Sequence, residues 1–238
     1  MFKKASKLNP KNALAYGNEA LMRLQMAQPK QCIDLCDKAL EIDPNLRAAI
    51  HNKGLAKLML RDWSGWNEYA DTLGVKHREA NDYGLPDWEG QPGKVLVYGE
   101  QGVGDEIMFA TVLPDLMKDN EIVFDTDKRL KSLFNRTFDC PVYGTRFCDE
   151  SPIRNDHDVE YQVAIGQLPS IYRSKGEYPG LAYLKTDPEM DLQWRALFDT
   201  FKGRKIGIAW TGGTKNTGIK RRSMELDDFK PLFNDHDT

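Results

Sequence analysis

Lys94-Val-Leu-Val-Tyr-Gly-Glu-Gln-Gly-Val-Gly-Asp-Glu-Ile-Met-Phe-Ala110 is the stretch whose reading decides the fold. Four apolar residues in a row, Val95 to Tyr98, bounded by turn signals, suit the central strand of a parallel sheet, which is buried on both faces. Gly99, Gly102 and Gly104 then form a glycine-rich turn, and a helix opens near Asp105. Glycines let the backbone approach a ligand closely or adopt positive φ. Open α/β sheets bind ligands in the crevice at the carboxyl ends of their strands, so this turn is the first place to look for a site.

The chemistry of the turn narrows its ligand. Gly99-x-x-Gly102-x-Gly104 is not the Gly-x-Gly-x-x-Gly of dinucleotide-binding folds, and the Lys-Ser/Thr of a phosphate loop is missing. Glu100, Asp105 and Glu106 place three carboxylates in the turn and first helical turn, where they would repel a pyrophosphate. A carboxylate near a helix N-terminus is held as the anion by roughly 0.3–1 kcal/mol. Two readings follow: an ionised carboxylate beside a substrate hydroxyl, or an Asp105 that serves only as an N-cap.

The bulk numbers set limits around that site. The 238 residues allow one large domain or two smaller ones, and 40% apolar with 29% charged residues describes a soluble globular protein. A net charge of −3 with pI near 5.9 argues against a general nucleic-acid or membrane-surface binder. No apolar run approaches the roughly 20 residues that span a bilayer, and Met1–Lys7 has no apolar core to make it a signal peptide. Cys32, Cys36, Cys140 and Cys148 show no C-x-x-C spacing, and His51, His77, His157 and His236 are scattered, so no metal site or cofactor is expected. A reducing, cytoplasmic compartment is the plain inference.

Upstream, residues 1 to about 74 are helical and repetitive. Ala5-Ser-Lys-Leu-Asn-Pro10 recurs as Ala39-Leu-Glu-Ile-Asp-Pro44, and Ala20 and Gly54 keep the same spacing of 34 residues. That period, with a closing Pro, is the tetratricopeptide signature, matched at Tyr16, Ala20, Ala39 and Pro44. Two repeats serve either as a concave peptide-binding groove or as a packing spacer. Arg61-Asp-Trp-Ser-Gly-Trp-Asn-Glu-Tyr69 closes the region with aromatics, as a docking seam or a sugar-stacking surface. Residues 75–92, with Asn81, Gly84, Pro86 and Gly90, read as a linker.

Downstream, strands alternate with helices: Val95–Tyr98, helix Glu106–Met117 with Pro114 at a kink or last turn, Glu121–Asp125, helix Lys128–Asn135, then strands at Pro141–Tyr143 and Tyr161–Val163. The alternation predicts a parallel sheet, and Gly166-Gln167 forms a second turn facing the cleft. After a helix at Pro188–Phe201, Lys205–Trp210 reads as another strand of the first type, followed by a helix near Leu226–Phe233. Between them Gly212, Gly213 and Gly218 sit with Lys215, Lys220, Arg221, Arg222 and Ser223. Glycines, hydroxyls and cations ahead of a helix suit a diphosphate; a solvated basic loop is the plainer reading.

Two strand-turn-helix openings, one acidic and one basic, about 110 residues apart, resemble the facing Rossmann-like domains of a GT-B glycosyltransferase. Trp88-x-Gly90, Glu100-Gln-Gly-Val-Gly-Asp-Glu-Ile-Met-Phe-Ala110, Gly166-Gln-Leu-Pro169, Tyr183-Leu184, Gly207-Ile-Ala-Trp-Thr-Gly212 and Arg222-Ser223 occur in that order. They resemble tetratricopeptide-repeat proteins carrying a heptosyltransferase-like, family 9 type, domain. The resemblance implies an α + α/β chain: repeats at 1–74, a linker at 75–92, a Rossmann-like acceptor domain at 93–190 and an incomplete donor-type domain at 191–238. It implies Asp105 as general base, with Glu100 as the other catalytic carboxylate. Gln101, Gly102, Gly104 and Gln167 would line the acceptor cleft, and Gly212, Gly213, Lys215, Lys220, Arg221, Arg222 and Ser223 would hold the donor diphosphate. The partners implied are a nucleotide-sugar donor, a protein or glycan acceptor, a peptide at the repeats and a second chain completing the donor domain, with no metal and no nucleic acid. Alone, the chain is expected to have weak or absent transferase activity. The alternative is a non-catalytic interaction protein built on the repeats.

Overall fold

The structure, a computed structural model, describes residues 8–72, 82–146, 148, 151–155, 158–176, 178, 180, 182–212 and 223–232. The chain forms two compact units, Met1–Lys185 and Thr186–Thr238.

The first unit begins with two helical hairpins, α1 (Ala13–Gln25) with α2 (Pro29–Ile42), and α3 (Arg47–Met59) with α4 (Gly65–Thr72). Helices α1 and α3 have the same length and keep the 34-residue offset read from the sequence. Asn12 caps α1 by accepting the Ala15 N–H at 3.1 Å, and Pro29 opens α2, where no N–H is needed. Both first helices end alike. Ala27 and Arg61 take left-handed φ of 54° and 61°. Gln28 N–H then reaches back to Arg23 O, and Asp62 N–H to Lys57 O, each at 2.9 Å, the double hydrogen-bonded terminus that normally recruits glycine. The hairpins close on small residues, Ala20, Cys32, Cys36, Ala39, Ala49 and Ala56, so Cys32 and Cys36 pack as expected of small buried side chains. Helices α3 and α4 cross at Gly54 and Gly65, where a Cβ on Gly65 would lie 2.5 Å from Gly54 O.

A four-stranded, all-parallel sheet follows: β1 (Lys94–Tyr98), β2 (Glu121–Asp125), β3 (Val142–Tyr143) and β4 (Tyr161–Ala164), in the order β3-β2-β1-β4. The α + α/β expectation holds at this level, and β1 is the central strand, paired on both sides. Side chains alternate across it. Val95 and Val97, with Ile122, Phe124 and Val163, face Phe109, Leu113, Leu116, Phe134 and Leu168 on the helices. Leu96 and Tyr98, with Val123 and Ala164, face Tyr83, Ile153 and Val159.

Several expectations need correction. The predicted helix Glu106–Met117 is broken into α5 (Val103–Phe109), a 3-10 turn (Ala110–Val112) and α6 (Leu113–Leu116), with Pro114 at the start of α6, where its missing N–H does no harm. The helix predicted at Lys128–Asn135 is α7 (Lys131–Thr137). In the predicted linker, Tyr83 and Trp88 are buried and Trp88 N–H donates to Gln162 O at 2.8 Å, so residues 82–91 lie along the β4 edge. The aromatic cluster is the seam between hairpins and sheet: Trp66 and Tyr69 each lie 6.1 Å from the buried Phe109 ring.

The second unit holds an α-helix (Pro188–Asp199), capped by Asp187, and a 3-10 helix (Leu226–Leu232) with Pro231 inside it, in place of the predicted α-helix. The predicted strand Lys205–Trp210 is not one: Ile206 is 56% exposed and Trp210 38%. Among the described residues no strand lies beside it, and an unpaired strand leaves its backbone groups to water.

Candidate active site

The topology selects one crevice. From β1 the chain steps to β2 and β3 on one side, then returns to β4 on the other, so the switch point lies between the carboxyl ends of β1 and β4. Tyr98 is aligned with both Asp125 and Ala164. The segments leaving these strands, Gly99–Gly104, Thr126–Asp127 and Ile165–Gln167, therefore emerge on one edge. Helix α4 and helix α8 (Leu168–Tyr172) pack beside them.

The three carboxylates of the acidic turn are sorted into three environments. Glu106, on the inner face of α5, is fully buried. It accepts from the Thr126 hydroxyl, from the Asp127 N–H at 3.1 Å, and from Arg146 in a buried ion pair. Burial pushes its carboxyl up, and those donors pull it back. Arg146, from the loop after β3, also reaches Asp127 at 2.8 Å and the Gln101 carbonyl at 2.5 Å. Asp127 is held well below the usual carboxylate range, chiefly by Arg129 and then by Arg146. A cleft of about 280 Å³ opens over Asp127, Lys128, Arg129, Gly144 and Arg146.

Asp105 is half-buried on the first turn of α5. Its Oδ2 accepts the Gly102 N–H at 3.0 Å. The helix opens earlier than expected, with Gly102 rather than Asp105 at the N-cap. Asp105 thus supplies the returning half of a capping box, and its other oxygen meets no hydrogen-bond donor among the described residues.

Glu100 is the unusual one. It lies at the switch point, 2% exposed. Gln101 Nε2 donates to its Oε1 at 2.8 Å, while Oε2 is buried with no hydrogen-bond partner in the described structure. Burial raises its carboxyl to about 7, and the Gln101 amide and nearby Gly166 and Glu100 N–H groups offset only part of that. The Gln101 side chain is fixed in turn by α4, whose Tyr69 hydroxyl donates to Gln101 Oε1 at 2.8 Å. Burial, with the charges of Glu100 and Asp105, pushes the Tyr69 phenol up to about 12, and the Gln101 contact offsets part of that.

Glu100, Gln101, Gly102, Gly104 and Asp105 therefore share one turn. A Cβ on Gly104 would meet open space, whereas one on Gly99 would fall 2.2 Å from Glu106 Oε1. Gln167, expected to face the cleft, instead turns back to accept the Ala164 N–H at 3.3 Å, capping its own 3-10 turn. Gly212 N–H donates to Ser223 Oγ at 3.3 Å in the second unit. Gly213, Lys215, Lys220, Arg221 and Arg222 lie outside the described residues. Tyr69, Thr126 and Arg146 were not among the predicted site residues. Tyr69 carried a signal as part of the aromatic seam, whereas nothing local marks Arg146.

The fold and site define a class: helical hairpins joined to a parallel α/β sheet with carboxylates at its switch point. No family model matches the chain. The chain is similar to Protein FlbA of Caulobacter vibrioides (strain ATCC 19089 / CIP 103742 / CB 15), 29% identical over 257 residues; the match takes in 98% of this chain. It takes in 43% of that protein, so the chain spans less than half of that relative's length.

Proposed function

We propose that this chain is the acceptor half of a metal-independent, inverting glycosyltransferase of GT-B type, with tetratricopeptide-like hairpins that dock the acceptor. The observation that carries the reading is the placement of Asp105 and Glu100 together in the turn at the sheet's switch point. Of the three carboxylates, Glu106 is committed to Arg146 and both Glu100 oxygens are enclosed. Asp105 is half-buried with one oxygen unengaged, which suits it to take a proton from an acceptor hydroxyl.

In that reaction the hydroxyl oxygen attacks the anomeric carbon of a nucleotide-sugar as its proton passes to Asp105. The bond from that carbon to the diphosphate oxygen breaks, and the electron pair leaves with the diphosphate. General base assistance of this kind contributes about 10²–10⁴-fold.

Asp105→Asn tests the assignment cleanly, because the asparagine carbonyl oxygen can still accept the Gly102 N–H. Transfer from ADP-, UDP- or GDP-sugars to hydroxyl-bearing peptide or glycan acceptors should fall by at least about 100-fold, with thermal midpoint and nucleotide affinity nearly unchanged. Transfer that survives the substitution sinks the base assignment; if neither protein transfers sugar, the reading turns towards an interaction protein working through its hairpins.

A further inference from the structure

The hairpins are joined to the acidic turn by one continuous hydrogen-bonded chain, Tyr69 Oη to Gln101 Oε1 at 2.8 Å and Gln101 Nε2 to Glu100 Oε1 at 2.8 Å. A primary amide has one acceptor end and one donor end. With Tyr69 donating to the acceptor end of Gln101, the amide presents its NH2 to Glu100. The Gln101 backbone is pinned separately, its carbonyl held by Arg146 at 2.5 Å. Two elements far apart in sequence, α4 and the loop after β3, thus grip a single turn residue at both ends. The consequence falls on Glu100, whose Oε1 is engaged and whose Oε2 is buried without a partner.

We propose that Tyr69 is a positioning residue of the acidic turn, supplied by the helical hairpins, which orients the Gln101 amide and thereby selects Oε2 of Glu100 as the oxygen that carries its proton. Among the described residues, the charged and titratable groups around Glu100 are few. Glu106 faces it from α5 and disfavours its ionisation, while Arg146 reaches the same turn through Glu106 and the Gln101 carbonyl. Tyr69 stands over it from α4, with the charge of Asp105 also felt at that phenol. Gly166 brings only an N–H from the β4 side. Any displacement of α4 by a ligand on the hairpins is transmitted to the turn through this chain. In that consequence alone the inference rests on the transferase reading.

The test is the titration of Glu100 followed by NMR in protein carrying ¹³Cδ-glutamate, with the resonance assigned by its loss in Glu100→Gln. Tyr69→Phe removes one oxygen and frees the amide to turn over, so Glu100 loses a donor to its anion and its midpoint should rise by about half a pH unit or more. Gln101→Met should raise it at least as far. Tyr69→Phe should add nothing in the Gln101→Met background, since the path runs through the amide. A midpoint unmoved by Tyr69→Phe overturns the proposal, as do shifts that add in the double variant. Circular dichroism of each variant establishes that the fold is intact. The readout needs no activity: absence of transfer by the unaltered chain would sink the transferase reading and leave the relay standing, whereas a flat titration sinks the relay alone.

Discussion

Gly99 ends the strand and begins the turn, and the structure gives a specific reason why no side chain fits there. A Cβ at this position would lie 2.2 Å from Glu106 Oε1 and 2.3 Å from its Cδ. In Gly99→Ala the carboxylate must therefore move by about an ångström to reach ordinary contact. It cannot do so freely, because Thr126, the Asp127 N–H and Arg146 hold it on the other side. Arg146 is itself only 8% exposed, so neither charge can turn to water. Breaking a buried pair costs about 3–5 kcal/mol, and overpacking alone about 1–3 kcal/mol. A loss of about 3–5 kcal/mol is the expectation for Gly99→Ala, read from urea unfolding with the slope unchanged. The control is a double-mutant cycle. With the carboxylate removed in Glu106→Ala, the added methyl meets nothing charged, and Gly99→Ala should then cost less than about 1 kcal/mol. A coupling energy near zero, or a wild-type cost below about 1 kcal/mol, would refute the reasoning.

Two further outcomes follow from the same structure. Burial raises the Glu100 carboxyl from 4.5 to about 7. Below the lower value both folded and unfolded chains are protonated, and between the two the folded chain holds more protons. Stability therefore falls as pH rises through this window and levels off above it. Glu100→Gln should remove that slope and stabilise the chain by about 2–3 kcal/mol at pH 8, measured by unfolding at pH 4, 6 and 8; an unchanged slope would place the titrating group elsewhere. At the end of α3, Arg61 sits at φ 61°, a conformation that costs a side-chain-bearing residue about 1–2 kcal/mol. After the entropy that glycine adds to the unfolded chain, Arg61→Gly should come out between neutral and about 1 kcal/mol more stable, and a clear loss of stability in chemical unfolding would contradict the left-handed terminus.

Much of the architecture is written locally. The apolar run at Val95–Tyr98 marks a strand buried on both faces because its neighbours in sequence supply nothing polar to face water. The spacing of Pro10 and Pro44, and of Ala20 and Gly54, sets the hairpin period because small residues must recur where helices touch. Gly99–Gly104 is legible as a turn leaving β1 because three of its six residues are glycine, with the carboxylates of Glu100, Asp105 and Glu106 in and beside it. Lys205–Trp210 shows the limit of such reading. Its pattern equals that of β1, yet a strand exists only where another strand pairs with it, and pairing is not a local property.

The site divides in the same way. That carboxylates gather at the turn was determined by the sequence alone, since residue type and spacing carry it. Which of them is neutralised, which caps a helix and which is left buried with an unsatisfied oxygen was decided by tertiary structure. Those fates depend on Arg146, Thr126 and Tyr69, brought from elements 20 to 45 residues away. Local pattern fixes what a segment can be; the burial and partners that tune a charge come from what the fold sets against it.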